Sequence, residues 1–289
     1  MSEPTVTIDY IEYDGWRAET VRQPVIAETP WVLYVDRREV LTFMCTPTRL
    51  HCLVIGFLLS ENMIRDLDDI WELQVFTAED RVYTYFPAAG LNEELRRRTC
   101  EEAIGTIDVR LRHTLPTGRE KRILTSGCGG GVTFDDLSGQ REPLQSALRV
   151  RASAICTMMQ HLHANANLYS QSRGVHTSGL YDPATGAQIV MAEDVGRHNT
   201  LDKLRGECLL SGVSTRDRVL ATSGRISTEM IGKAYKMETP IVISRTSPTI
   251  TSIRLAQSWN MTLIGYVRSR RLRVYSGAER IDFAPYDEG

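Results

Sequence analysis

Beyond residue 173, short apolar runs alternate with stretches of helical periodicity, and that alternation limits the fold more than any other feature of the chain. The runs at 174–180, 188–193, 219–222, 240–244, 261–267 and 273–276 read as strands. Between them lie helical patterns around Leu201, Leu204, Cys208 and Leu209, around Met230, Ala234 and Met237, and over 249–259. Strands separated by helices of about 10–15 residues form crossover units, so an α/β fold with a largely parallel sheet is expected. A helix over 153–169 precedes it, with Ile155, Met158, Met159, Leu162 and Ala166 at helical spacing and Cys156 in the core.

The first third has a different texture. Tyr13-Asp14-Gly15-Trp16 reads as a hairpin turn, and 31–36 and 39–45 as two strands joined at Arg37 and Arg38. Thr46-Pro47 is expected to open a helix with Leu50, Leu53, Val54, Phe57 and Leu58 on one face. A hairpin follows over 70–77 and 81–86, then a short charged helix over 91–98. The stretch from His113 to Gly118 breaks the periodicity. It divides a smaller, strand-rich α+β N-terminal domain (1–116) from a larger C-terminal α/β domain (117–289), and 289 residues are enough for two cores.

Composition removes several function classes. Lys and Arg total 34 against 36 Asp and Glu, without the basic excess of a general nucleic-acid binder. Met1-Ser2-Glu3-Pro4 lacks the basic and apolar segments of a secretory signal, and no apolar run reaches the length of a membrane span, so a cytoplasmic protein without a membrane partner is expected. The six cysteines, at 45, 52, 100, 128, 156 and 208, form no C-x-x-C pair and no Cys/His cluster, so no metal site is read from them.

In an open α/β sheet the ligand crevice lies outside the carboxyl ends of the strands. Four junctions should gather there: Glu193-Asp194-Val195-Gly196-Arg197-His198-Asn199, Thr222-Ser223-Gly224-Arg225-Ile226-Ser227, Arg245-Thr246-Ser247-Pro248-Thr249, and Tyr266-Val267-Arg268-Ser269-Arg270-Arg271. Helix N-termini offer unpaired N–H groups, and arginine forks match phosphate oxygens. Capping explains the hydroxyls and Asn199 equally well, and Glu193 or Asp202 could partner Arg197 or Arg225. Three junctions that combine hydroxyls with arginine, followed by a basic run, favour a phosphorylated ligand over capping alone. The basic run also suits a protected sheet edge. His198 fits either a general acid–base or a structural role.

A second chemical feature lies upstream, where Cys128 stands in Thr125-Ser126-Gly127-Cys128-Gly129-Gly130-Gly131. Glycines on both sides free the backbone, so the thiol can swing and successive N–H groups can converge on an anion. A nucleophilic thiolate needs a nearby cation or amide nest, and Arg119, Lys121 and Arg122 are the basic residues in view. Taken alone, the cysteine reads as a small residue in a turn.

These segments occur with others in a fixed order: Thr46-Pro47, Gly56-Phe57-Leu58-Leu59-Ser60-Glu61, Gly174-Val175-His176, Leu201-Asp202-Lys203, Glu229-Met230 with Lys233, and Thr262-Leu263-Ile264-Gly265. Together they resemble the formate dehydrogenase accessory sulfurtransferase family, FdhD, over almost the whole chain. The resemblance implies a sulfur carrier that takes persulfide sulfur from a cysteine desulfurase. It would pass that sulfur to molybdenum bis(molybdopterin guanine dinucleotide) for the catalytic subunit of formate dehydrogenase. Cys128 matches the persulfide-bearing residue, and Tyr266, Val267, Arg268, Ser269, Arg270 and Arg271 match the contact to the guanine nucleotide, a GDP-like moiety. With the neighbouring junctions, Arg197, His198, Ser223 and Arg225 complete the expected cofactor-binding set. The resemblance also implies a cytidine-deaminase-like larger domain and a homodimer. Many members carry C-x-x-C in the cysteine loop, whereas Gly131 stands in the second cysteine's place here. One thiolate suffices to relay sulfur, so the carrier role is kept, while release through a disulfide within the loop is lost. The alternative is an escort that binds the cofactor without handling sulfur. A zinc deaminase fails because the H-x-E and P-C-x-x-C signature is absent, and a dinucleotide oxidoreductase because no G-x-G-x-x-G opens a helix.

Overall fold

The structure is a computed structural model that describes residues 3–77, 81–86, 105–115, 123–124, 132–133 and 141–284. Strands β1 (Thr5–Tyr13) and β2 (Ala18–Ile26) form an antiparallel hairpin with Thr5 opposite Ile26. Its turn is closed by Asp14, whose carboxylate accepts from the N–H groups of Trp16 and Arg17. Next come β3 (Thr29–Val35) and β4 (Arg38–Cys45). They turn at Asp36-Arg37, one residue before the expected position. Both turn residues have positive φ, 48° and 66°, as the tight turn matching strand twist requires.

Helix α1 (Leu50–Ser60) begins three residues after Pro47, behind Arg49 in a left-handed conformation. Thr46-Pro47 does not open it, because Thr46 is held elsewhere: its N–H donates to Asp194 and its hydroxyl accepts from the N–H of Val195. Nor is α1 apolar on one face only. Leu50 and every residue from Cys52 to Ser60 are buried, because the helix lies between a sheet and a second helix. That sheet adds β5 (Ile70–Thr77), β6 (Val82–Phe86) and β7 (Gly105–Leu111) in the order β4-β3-β7-β5-β6, with only β3 and β7 parallel. The helix expected at 91–98 lies outside the described residues, as do residues 116–118 of the domain division.

Two short strands, β8 (Ile123–Leu124) and β9 (Val132–Thr133), pair antiparallel with Leu124 opposite Val132. After β10 (Val150–Arg151), the helix expected over 153–169 is two helices, α2 (Ala152–Ala164) and α3 (Asn167–Ser172). The break arises because the Glu193 carboxylate accepts from the N–H groups of Leu168 and Tyr169, both at 2.9 Å, which starts a new helix.

The larger sheet is built from β11 (His176–Tyr181), β12 (Gln188–Asp194), α4 (Arg197–Leu210), β13 (Val219–Thr222), α5 (Thr228–Lys236), β14 (Ile241–Ser244), α6 (Ile250–Ser258), β15 (Thr262–Arg268) and β16 (Arg271–Ser276). A final strand, β17 (Ile281–Asp282), pairs with β10. The mixed α/β class is as expected, but the sheet is not largely parallel. In the order β12-β11-β13-β14-β15-β16, only β13–β14 and β14–β15 run parallel. The reason is in the connections: α5 and α6 make crossovers, whereas β11–β12 and β15–β16 are hairpins that must reverse direction. Alternation along the strands sends Leu180, Leu220, Val242 and Leu263 to a core under α4, α5 and α6, and Tyr181, Val219, Ile241 and Ile264 to a core under α2.

The two sheets are joined where α1 crosses α4. A Cβ on Gly56 would stand 1.8 Å from the carbonyl oxygen of Asp202, and one on Gly206 would stand 2.0 Å from that of Cys52. The helix backbones are therefore in contact, which only glycine allows. Replacing Gly206 with Ala should destabilise the protein by about 1–3 kcal/mol through overpacking. Gly232→Ala in α5, where nothing lies within 4 Å, should instead stabilise it by about 0.5–1 kcal/mol. Urea denaturation of the two variants checks the opposite signs.

Candidate functional site

Because β11 runs against both its neighbours, β12 and β13 point the same way, and β14 and β15 follow them. Four strand ends therefore meet at one end of the sheet, together with the start of β11, where His176 lies opposite Asp194. The junctions interlock. Ser223 accepts from the N–H of Thr177 at 2.9 Å and lies 3.4 Å from Nδ1 of His176. Ile226 and Pro248 form a parallel bridge, and the N–H of Arg245 donates to Thr222. The fourth junction joins through Tyr266, whose N–H donates to Thr246 at 3.1 Å, and Arg268, whose Nε donates to the Arg245 carbonyl at 3.3 Å.

Capping takes part of this chemistry. Ser227 caps α5, and Thr249 forms a reciprocal capping box with Ser252 at α6. Asn199 does not cap α4. The N-cap is Gly196, and the Asn199 amide donates to Asp194 and to the carbonyl of Met44. Glu193 is committed to α3, and Asp202 to Lys233 and the Ser60 hydroxyl. Arg197 is buried with its Cβ against Gly224, whereas Arg225 is exposed. His198 is turned inward, with Nε2 at 2.8 Å from the Glu229 carboxylate and 3.2 Å from the Ser227 hydroxyl.

Two cavities open at this end, both against α2. The larger, about 1010 Å³, is lined by the turn from Arg268 to Arg273 with Tyr266, Cys156 and Phe283. In the turn Arg268 and Arg271 face each other across Ser269 and Arg270, and Tyr266 and Ser269 have positive φ. Val267 turns into the core and does not line this cavity. The smaller cavity, about 390 Å³, is lined by Ser223, His176 and Arg245 together with His163, Tyr169 and Arg173. Neither cavity is lined by Arg197, His198 or Arg225. Cys128 lies outside the described residues, between β8 and β9. The four described cysteines, 45, 52, 156 and 208, are buried free thiols, and burial pushes Cys52 and Cys208 up to about 12. Among the described residues no cluster of three or more metal-ligating side chains occurs.

The sequence did not reveal what holds this end together. Lys203, fully buried, pairs with Asp194 at 2.6 Å and donates to the carbonyl of Thr46 and the hydroxyl of Thr48. The available signal was a lysine inside the apolar repeat Leu201, Leu204 and Cys208.

The family model for the FdhD/NarQ family matches residues 26–282. The chain belongs to the FdhD/NarQ family. A protein of Bacillus subtilis named sulfur carrier protein FdhD is 32% identical over 283 residues, covering 96% of this chain and 97% of that protein. One of Bacillus pumilus with the same name is 34% identical over 262 residues, covering 89% and 90%. The fold matches the crystal structure of a chain described as a formate dehydrogenase accessory protein from Desulfotalea psychrophila. The TM-score is 0.68 at 23% identity, with 96% of this chain and all of that one covered. No helix among the described residues is long and apolar enough to cross a membrane.

Two outcomes follow for this FdhD/NarQ chain. Lys203→Ala leaves the Asp194 carboxylate buried without its partner and should cost about 3–5 kcal/mol in chemical denaturation. His176 is pushed below the usual histidine value by burial first, then by Arg197 and His198. The folded state thus resists protonation, and stability present above pH 6.5 is lost as pH falls toward the depressed folded value. This group should contribute a slope of up to about 1.4 kcal/mol per pH unit in that window, and unfolding curves of His176→Gln should lack it.

Proposed function

We propose that this chain is a sulfur carrier for formate dehydrogenase maturation. It would accept persulfide sulfur from a cysteine desulfurase on Cys128 and pass it to molybdenum bis(molybdopterin guanine dinucleotide), destined for the formate dehydrogenase catalytic subunit. Membership of a family whose relatives are named sulfur carrier proteins supports the role. The observation that carries the acceptor side is the gathering of four strand ends into one arginine- and hydroxyl-bearing edge, tied together by the contact between Arg268 and Arg245.

In the transfer, the Cys128 thiolate attacks the terminal sulfur of the donor persulfide. The donor's S–S bond breaks, its thiolate leaves, and a new S–S bond forms on Cys128. Release restores the Cys128 thiolate and leaves the terminal sulfur with the acceptor. Delivery as sulfide takes two electrons, supplied by two equivalents of an external thiol, which leave as a disulfide, or by the metal centre, since Gly131 offers no second thiol. On the acceptor side, Arg268, Ser269, Arg270, Arg271 and Tyr266 would hold the guanine-nucleotide portion, with Val267 contributing backbone. Arg197, His198, Ser223 and Arg225 would shape the adjoining edge, and positively charged forks there would neutralise pyrophosphate oxygens. The same reading takes the larger sheet as cytidine-deaminase-like, the protein as a homodimer, and its location as cytoplasmic.

Incubation with a cysteine desulfurase and labelled cysteine should place one labelled sulfur on Cys128, detectable by mass spectrometry. Cys128→Ala should lose the label and abolish formate dehydrogenase maturation. Arg268→Ala should keep the label while maturation drops about tenfold or more. Full maturation by Cys128→Ala, with maturation lost in Arg268→Ala, would instead favour the escort reading.

A further inference from the structure

The smaller cavity holds two guanidinium groups and no carboxylate among its lining residues. Arg173 ends α3 with φ 53°, and its guanidinium lies 6.0 Å from the centre of the Tyr169 ring. Arg245 follows β14, and its Nη1 donates to Nε2 of His163 at 2.8 Å. That contact needs a neutral imidazole. Burial, then the charges of Arg245 and Arg173, hold His163 below the usual histidine value. Glu193 caps α3 and does not line the cavity. Two like charges lining one concavity, with no counter-ion among the described residues, suit it to an anion, because a folded chain otherwise pairs or separates them.

The rest of the lining sets the size and character of the ligand. The Ser223 oxygen accepts from the Thr177 N–H and lies 3.4 Å from Nδ1 of His176, so the hydroxyl and that imidazole form one polar side of the cavity. Met159, Leu162 and Val175 supply an apolar wall, and the Tyr169 ring forms a flat side at 5.2 Å from the His163 ring. About 390 Å³ falls in the range of small-molecule pockets and exceeds what a bare tetrahedral oxyanion fills.

We propose that this cavity binds an organic phosphomonoester, with the phosphoryl group on Arg173, Arg245 and the Ser223 hydroxyl and a flat or apolar body against Tyr169, Leu162 and Met159. The proposal stands on the cavity alone and does not depend on sulfur transfer.

Isothermal titration of the full chain with phenyl phosphate and with inorganic phosphate tests it. Phenyl phosphate should bind saturably and about tenfold more tightly than inorganic phosphate. Arg173→Gln and Arg245→Gln should each weaken it by about 10-fold to 100-fold, as expected for a lost charged hydrogen bond. Arg216→Gln, whose side chain pairs with Asp217 and Glu238, should leave binding unchanged. Absence of saturable binding, equal affinity for the two probes, or full binding by both cavity variants would overturn the proposal. A measurement on the unaltered protein removes dependence on the variants' folding. Phenyl phosphate should shift the carbon-bound proton resonances of His163 and His176 and raise both pKa values, and resonances that stay fixed at saturation would also overturn it. Labelling of Cys128 is read separately, so either conclusion can fail without the other.

Discussion

The Asp194–Lys203 pair is the interaction on which the arrangement of this molecule depends. Removing both charges from water costs several kcal/mol per ion, and their attraction offsets this only when the remaining polar atoms are satisfied. Here they are. The Asp194 carboxylate accepts from the N–H groups of Thr46 and Gly196 and from the Asn199 amide, and the Lys203 ammonium reaches Thr46, Thr48 and the carboxylate itself. The pair thus fixes three segments at once: the end of β12, the first turns of α4, and the strand-to-helix corner between β4 and α1. Of the strand ends that form the candidate site, that of β12 is held directly by this knot.

The site owes its composition to the hairpins as much as to the crossovers. Parallel strands alone would have brought the ends of β13, β14 and β15 together. The reversal at β11 adds His176 and Thr177 from a strand's beginning, and the reversal after β15 places the arginine turn beside Arg245. Gly265 is a consequence of that proximity, since a Cβ there would lie 2.8 Å from the carbonyl of Thr246.

Most elements of the larger sheet were legible in the sequence, because each strand is a short apolar run and each helix repeats near its own period. The sheet's direction was not, since 182–187 between β11 and β12 is simply a short connection whose reversal must be inferred from the lack of a helix. The junctions were legible as chemistry but not as roles: Ser227 and Thr249 cap helices, whereas Ser223 faces a cavity. The cavity-lining places of His163, Tyr169 and Arg173 were not legible, because helical periodicity over 153–169 gives no warning that Glu193, far along the chain, restarts the helix and turns it. Local pattern reports local preference, and these contacts are set by distant partners.

The crossing of α1 and α4 has a mechanical meaning. With carbonyl oxygens seated directly over Gly56 and Gly206, the helices lack the cushion of side chains that elsewhere lets packed elements slide by small rotamer adjustments. Sheets coupled through such a contact respond to force as one rigid frame, and accommodation of a guest at the rim falls to turns and side chains such as Arg268, Arg270 and Arg173.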